Sequence, residues 1–335
     1  MPRRRRIQRR AAGMALAALL ALLPLWAFAA EGADPPIRIG VLKFGSLAWE
    51  LDVIARHGLD RKHGFTLEAV PLAGAQALKV ALQADRVDVI LSDWLWVSRI
   101  RQTGSDVTFA PYGAWAGALI LSPALKIKTL ADLQGLRIGV AGGQIDKNWL
   151  LLQALAAKEA GLRLADAAEI VFAAPPFLRM ELQSGRVDAV LTYWQDAAML
   201  QTAGFRRLLD SAEIARRLGV VTRVPFLGYV FSTAWAEAQD APLRGFLAAS
   251  REAKRILRDS DAEWERIAPL TRSQGAAERA AVRDAYRRGL LEHWGEKERL
   301  AAKALFRILA ETGGASLTGG QAGLAPGTFW AEDRF

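Results

Sequence analysis

The chain of 335 residues is 52% hydrophobic and 24% charged, with 44 Lys and Arg against 35 Asp and Glu for a formal net charge of +9. That composition can bury a large core and excludes disorder, collagen and coiled coil, and at typical domain sizes it suggests two lobes. With no cysteine, disulfide frameworks, thiolate metal sites, cysteine nucleophiles and a lipid anchor on an N-terminal Cys all fall away, and three histidines leave little for metal or acid–base chemistry.

The positive surplus is local. Arg3, Arg4, Arg5, Arg6, Arg9 and Arg10 lie within residues 1–30, which hold no acid; without them 38 basic residues face the 35 acidic ones. The arginine cluster, the apolar run Met14 to Leu23, Pro24 and the small residues Ala27-Phe28-Ala29-Ala30 read as a signal peptide over 1–30, with cleavage expected after Ala29 or Ala30. A retained membrane anchor is the alternative, but Pro24 interrupts the stretch. Twin-arginine export is disfavoured because Phe-Leu-Lys does not follow the arginine pairs, so general secretion is preferred. The expected product is a soluble periplasmic monomer, and nucleic-acid binding falls with the basic run.

From residue 37 onward strand and helix patterns alternate, as a mainly parallel sheet covered on both faces requires. Ile37 to Leu42 reads as a strand, Leu47 to His57 as a helix stopped by Gly58, Phe65 to Val70 as a strand, Ala75 to Leu82 as a helix and Val87 to Leu91 as a strand. The order then returns: a short helix at Leu130 to Leu133, a strand at Arg137 to Val140, a helix from Asn148 to Ala160 ended by Gly161, and a strand at Glu169 to Ala173. Phe177 to Gln183 and Val187 to Leu191 complete it. Residues 81–94 align with 181–194 at an offset of 100, identical at 7 of 14 positions, so two lobes of one design are the simplest reading.

The apolar runs 117–122 and 227–232 are expected to be hinge crossovers. Lobe one then comprises 37–116 and 233–335, and lobe two 123–226. Ala241 to Thr312 is mostly helical, without strands of its own, and is expected to pack on lobe one. The tail from Gly313 to Phe335 is expected to be irregular and laid on the surface.

Ile-Arg-Ile-Gly-Val at 37–41, His-Gly-Leu-Asp-Arg-Lys-His-Gly-Phe at 57–65, Asp-Arg-Val-Asp-Val at 85–89, Leu-Ala-Asp-Leu-Gln-Gly-Leu-Arg-Ile-Gly-Val at 130–140 and Gly-Arg-Val-Asp-Ala at 185–189 resemble the periplasmic solute-binding proteins of nitrate, sulfonate and taurine ABC importers, a family that includes thiamine-pyrimidine-precursor binders. The resemblance covers about residues 37–300. It implies an α/β two-lobe fold of the type II periplasmic binding class, with two crossing hinge strands, a ligand held between the lobes and delivery to an inner-membrane ABC permease. The family's Trp-Glu-Pro stands here as Trp194-Gln195-Asp196, so its ligand set does not carry across intact.

In open α/β sheets ligands bind beyond the carboxyl ends of the strands, which selects the residues after each predicted strand. From lobe one these are Phe44, Gly45, Ser46 and Trp49, then Ser92, Asp93, Trp94 and Trp96. From lobe two they are Gly142, Gly143, Gln144 and Trp149, then Thr192, Tyr193, Trp194 and Asp196; Trp115 and Phe226 precede the two crossovers. Trp94 and Trp194 occupy equivalent places in the repeat and are expected to face each other. The run Ala141-Gly142-Gly143-Gln144 between strand and helix reads either as an anion cradle or as a plain turn, with Asp146 competing for the helix dipole. Asp93 and Asp196 bring negative charge, Lys43, Lys147 and Arg179 positive charge, so an amine-bearing ligand held by cation–π contacts stands beside a sulfonate. Asp88, Asp188, Arg86 and Arg186 read as turn or hydrogen-bonding residues, and Glu50 as a helix N-terminal carboxylate. No histidine is assigned to a site and no metal or cofactor is expected.

The function these residues favour is capture of a small organic solute, sulfonate- or taurine-like or aromatic, between two lobes. An enzyme on the same scaffold is disfavoured, because pyrimidine synthases of this resemblance use pocket histidine and iron, and no predicted cleft loop carries a histidine. A periplasmic sensor with the same fold is the third reading.

Overall fold

The structure is a computed structural model that describes residues 36–42, 45–115 and 117–333. The predicted signal peptide and Phe44 lie outside the described residues. Among the described residues, ten strands form two five-stranded sheets. The first contains β1 (Ile37–Leu42), β2 (Leu67–Leu72), β3 (Val89–Asp93), β4 (Val107–Gly113) and β10 (Leu227–Ser232) in the order β2-β1-β3-β10-β4. The second contains β5 (Ala118–Leu121), β6 (Arg137–Ala141), β7 (Glu169–Ala173), β8 (Ala189–Thr192) and β9 (Arg206–Asp210) in the order β7-β6-β8-β5-β9.

The two orders are one pattern used twice. In each sheet a parallel βαβαβ unit is extended by a strand that arrives from the other lobe and runs antiparallel to both neighbours: β10 against β3 and β4, and β5 against β8 and β9. The runs expected as crossovers are therefore these inserted strands. The chain passes between the sheets after β4 and returns after the helix Ser211–Arg217, which packs on lobe two. Because β5 and β10 are inner strands, both are apolar on both faces, with burial patterns that leave only the ends of β10 open.

The sequence repeat has a structural counterpart. Asp88 accepts from the Arg38 backbone N–H at 2.7 Å and from its guanidinium at 2.6 Å; Asp188 accepts from Arg137 in the same way at 2.9 and 2.7 Å. Each carboxylate clamps the first strand of its lobe to the turn that opens the third, the hydrogen-bonding role read for it in the sequence.

β4 and β9 are not predicted from the sequence, and both are edge strands. β4 contains Pro111, whose missing N–H is tolerated only at an edge or a bulge, and β9 opens with two exposed arginines. The helix Asp240–Asp259 buries Leu243, Phe246, Leu247, Ser250, Ala253 and Leu257, a stripe at helical spacing that packs on the helix Ser46–Arg56 of lobe one. The last helix, Glu296–Thr318, joins one apolar cluster with both sheets through Leu305, Phe306 and Leu309 and packs on the helix Lys147–Ala160 of lobe two. It also continues past Gly313, through a non-helical Gly314, where the sequence suggested an irregular tail.

The tail beyond that helix corrects the expectation of a surface strap. Phe109 N–H donates to the Thr328 carbonyl at 3.0 Å and Trp330 N–H to the Phe109 carbonyl at 2.9 Å, so the tail pairs with the open edge of β4. Thr328, Trp330 and Asp333 are buried. Covering an edge strand in this way satisfies backbone groups that would otherwise face solvent.

Candidate functional site

At the tips of sheet one, Gly45 takes φ 148°, a conformation that side chains rarely adopt, and opens the helix Ser46–Arg56. Tyr112 at the end of β4 donates its hydroxyl to Ser46 Oγ at 3.1 Å. Asp93 ends β3 and caps the helix Trp94–Arg101, accepting the Trp96 N–H at 2.8 Å. At the tips of sheet two, Gly142 (φ 93°) turns the chain toward Asp146, which caps the helix Lys147–Ala160 by accepting from Asn148 and Trp149. A Cβ on Gly142 would lie 3.0 Å from Asp146 Oδ2 and 3.1 Å from the Tyr193 hydroxyl, so only glycine lets these groups approach.

The two sets of tips meet through charge. Lys147 Nζ lies 3.4 Å from Asp93 Oδ2, joining lobe two to lobe one, and Lys79 stands over the Trp96 ring at 5.1 Å. Burial disfavours the Asp93 carboxylate, but Lys147, Lys79 and the Trp96 N–H outweigh it and hold its pKa below the ordinary value. Burial likewise opposes the charge on Lys147, and Asp93 and Asp146 reverse that and raise its pKa. Burial pushes the Asp146 carboxyl up against Lys147 and its capping N–H groups, and burial with the Asp146 charge raises the Tyr193 phenol. Lys79 is lowered by burial. The cradle between Gly142 and Lys147 is thus a capped turn whose first helical N–H groups are already taken by Asp146.

Beside these groups, Ser92 and Thr192, equivalents in the repeat, are the next-to-last residue of β3 and the last of β8, with buried hydroxyls that lack a hydrogen-bond partner among the described residues. Gln144 is exposed and Gly143 half-buried. Asp196 lies in the first turn of the helix Trp194–Thr202, its pKa raised by burial against the charge of Arg179.

The aromatic residues divide differently from the sequence expectation. Trp94 is fully buried, donates its indole N–H to the Pro225 carbonyl at 2.8 Å and stacks on Phe226 at 6.3 Å. Trp194 instead reaches into lobe one, stacked on Trp115 at 5.9 Å and edge-on to Trp49 at 6.0 Å, with Tyr286 beside it. The two repeat-equivalent indoles serve separate contacts and are not ring partners among the described residues. Trp49 donates its indole N–H to the Leu270 carbonyl and Trp149 packs on Phe172 inside lobe two; both are buried. Glu50 is not an N-terminal carboxylate but a fully buried one, held by Lys254 at 2.7 Å and by the Tyr229 hydroxyl.

Trp115, Trp194 and Phe226 also line a cavity of about 750 Å³ at the crossovers, which none of the other predicted site residues among the described ones reach. Its charged lining, Arg207, Asp210, Glu213, Arg216, Arg223 and Arg288, carries no sequence signal: arginines in the last turns of the helices Ser211–Arg217 and Gly275–Arg288 look the same whether they complement a helix dipole or line a site.

Residues 115–261 match the family model NMT1/THI5 like. The matched segment is less than half of the chain. It spans the first crossover, lobe two, the return to β10 and the start of the helical region. Among solved structures, the periplasmic aliphatic sulphonate binding protein SsuA from Escherichia coli matches with a TM-score of 0.70 at 19% identity, over 90% of this chain and 93% of that one. The alkanesulfonate-binding protein SsuA from Xanthomonas axonopodis pv. citri bound to MOPS matches with a TM-score of 0.67 at 19% identity, over 89% and 99%. A Candida albicans gene product exhibiting the generic periplasmic binding protein structural fold matches with a TM-score of 0.55 at 13% identity, over 86% and 91%. No curated protein sequence matches. The two-lobe type II fold expected from the sequence is the fold observed, and the resemblance to solute-binding proteins is borne out with it.

Proposed function

We propose that this chain is the periplasmic solute-binding component of an ABC importer, taking a small sulfonate- or taurine-like solute between the strand tips of its two lobes and delivering it to a permease. The observation that carries this reading is the meeting of the tips across the lobes at Asp93 and Lys147. A sulfonate group would exchange with Asp93 for Lys147, and an amine would exchange with Lys147 for Asp93, so a zwitterion replaces the pair without leaving either charge unpartnered. Tyr193, with its hydroxyl 3.5 Å from Asp146 and more than a third of its surface open, supplies a donor at the same place. Contact with both lobes is what drives closure, because a solute touching only one would shift no equilibrium. We read the site as non-catalytic: Asp93 and Asp146 serve as helix caps, Asp93 also as an ion-pair partner, and no histidine stands among the described site residues.

The test is a thermal-shift screen of taurine, alkanesulfonates, nitrate, aromatic acids and amines on the protein without residues 1–30. At a hundredfold excess over Kd, a bound solute adds about 2.7 kcal/mol and raises the melting midpoint. Lys147→Met should abolish the shift for the best solute, and a full shift in that variant overturns the placement at the tips.

A further inference from the structure

The cavity at the crossovers is bounded by both lobes: Ala197, Gln201 and Arg216 come from helices of lobe two, Ala285, Arg288 and Gly289 from lobe one. Its volume of about 750 Å³ is that of a small-molecule site. The charges in it are unequal. Arg207 is paired with Asp210 at 2.9 Å, and Asp210 also caps the helix Ser211–Arg217 through the Glu213 N–H, so both are committed. Arg223 is held by two carbonyl oxygens, those of Ala114 and Arg288, which orient its guanidinium without neutralising it. Arg216 and Arg288 have no side-chain hydrogen bond or ion pair to another described residue. Three uncompensated guanidiniums therefore face one carboxylate, Glu213, and they are carried on the two lobes and on the segment between them. The apolar part of the wall includes Trp115, Trp194, Val220, Val224 and Phe226, with Gln201, Ser211 and Thr222 as its uncharged polar members.

We propose that this cavity is a second binding site, distinct from the strand tips, for an organic dianion with an apolar middle. Its acidic ends engage Arg216 of lobe two and Arg288 of lobe one, Arg223 adds a fixed charge from the crossover, and its body lies against the Trp115 and Trp194 rings. Since the arginines belong to different lobes, one dianion bridges them where a monoanion cannot, and occupancy holds the crossovers in the arrangement described here.

Naphthalene disulfonate is the probe, followed by quenching of tryptophan emission and by calorimetry, with naphthalene monosulfonate as the comparison. The disulfonate should bind saturably and at least tenfold more tightly than the monosulfonate. Arg216→Gln and Arg288→Gln should each weaken it about tenfold; both side chains are exposed, so these variants should melt within a degree or two of the parent. Glu213→Gln should tighten it, and added salt should weaken it. Lys147→Met should leave it unchanged, which separates this site from the solute site at the tips. Equal affinity for the two sulfonates, indifference to Arg216→Gln and Arg288→Gln, loss of binding in Lys147→Met, or no saturable binding at millimolar probe each overturns the proposal.

Discussion

Trp115 shows how a single side chain fixes the lobe junction. Its ring occupies the space a Cβ would take at Gly113 and at Gly289, where the nearest ring atoms would lie 1.7 and 2.0 Å away, and its indole N–H donates to the Tyr286 carbonyl at 2.9 Å. Neither glycine is required by backbone conformation; both are required by the ring. Gly289→Ala and Gly113→Ala should therefore each cost about 1 to 3 kcal/mol by overpacking, read as a lower denaturant midpoint, and Trp115→Leu should relieve most of the loss. A loss that persists without the ring would locate the strain elsewhere. The Glu50–Lys254 pair is the second case. Burial lowers the Lys254 pKa against the attraction of Glu50, and the ammonium also lies 4.3 Å over the Tyr112 ring. Lys254→Met leaves a buried carboxylate without its cation and should cost roughly 3 to 5 kcal/mol, whereas Lys254→Met with Glu50→Gln should recover much of it. Such roles were not legible in the sequence. Trp94 and Trp194 match in the repeat and differ in packing, because the register that aligns the strands does not fix which lobe the side chain enters, and Glu50 looks like any acid near a helix start until Lys254, 204 positions on, is brought beside it.

At the scale of elements, the tips are held by two capped helices that present opposite charges, Asp93 as the cap of Trp94–Arg101 and Lys147 as the first residue of Lys147–Ala160. Both side chains are mostly shielded, at 17% and 20% exposure, so their attraction is screened less than that of a surface pair. A double-mutant cycle with Asp93→Asn and Lys147→Met should give a coupling of about 1 kcal/mol, and a value near zero would remove the pair as a link between lobes. The sign with pH follows from the shifts. Asp93 is lowered, so its contribution is present above the ordinary carboxylate range and is lost as pH falls through its depressed pKa. Lys147 is raised, so its contribution is present below the ordinary lysine value and is lost only as pH rises beyond it. The coupling should be flat between about pH 5 and pH 9. The elements that frame these tips were legible: the central strands and the helices between them follow from apolar runs and helix stops, and the offset repeat gives the two halves. The edge strands β4 and β9 were not, since an edge tolerates the proline and the arginines that erase a strand signal.

For the whole molecule, the joint between lobes is carried by more than the two crossovers. The helix Gly275–Arg288 of lobe one packs on Trp194–Thr202 of lobe two, and the last helix packs on Lys147–Ala160, where a Cβ on Gly313 would come within 2.9 Å of Leu150. The segment after that helix then pairs with β4 of lobe one, placing Asp333 in a buried position 3.6 Å from Arg251. Burial raises the Asp333 pKa to about 6, against the charges of Arg251, Arg299 and Lys254. A raised carboxyl binds its proton more tightly in the folded chain than in the unfolded one. Its contribution is therefore fully present below the ordinary aspartate pKa and is lost as pH rises from about 4 through about 6. The difference in unfolding free energy between the parent and Asp333→Asn isolates this residue from every other titrating group. It should shift by roughly 2 to 3 kcal/mol at most across that interval, with the parent losing ground as pH rises, and then level off. Hydrogen exchange at the Phe109 and Trp330 amides should follow the same curve, faster at pH 7 than at pH 4.5 once corrected for intrinsic exchange, because these amides close the pairing of the tail to β4. A parent and variant that titrate in parallel would mean that the Asp333 charge is accommodated by its arginines at no cost, and the tail would then be held by the burial of Phe329 and Trp330 alone.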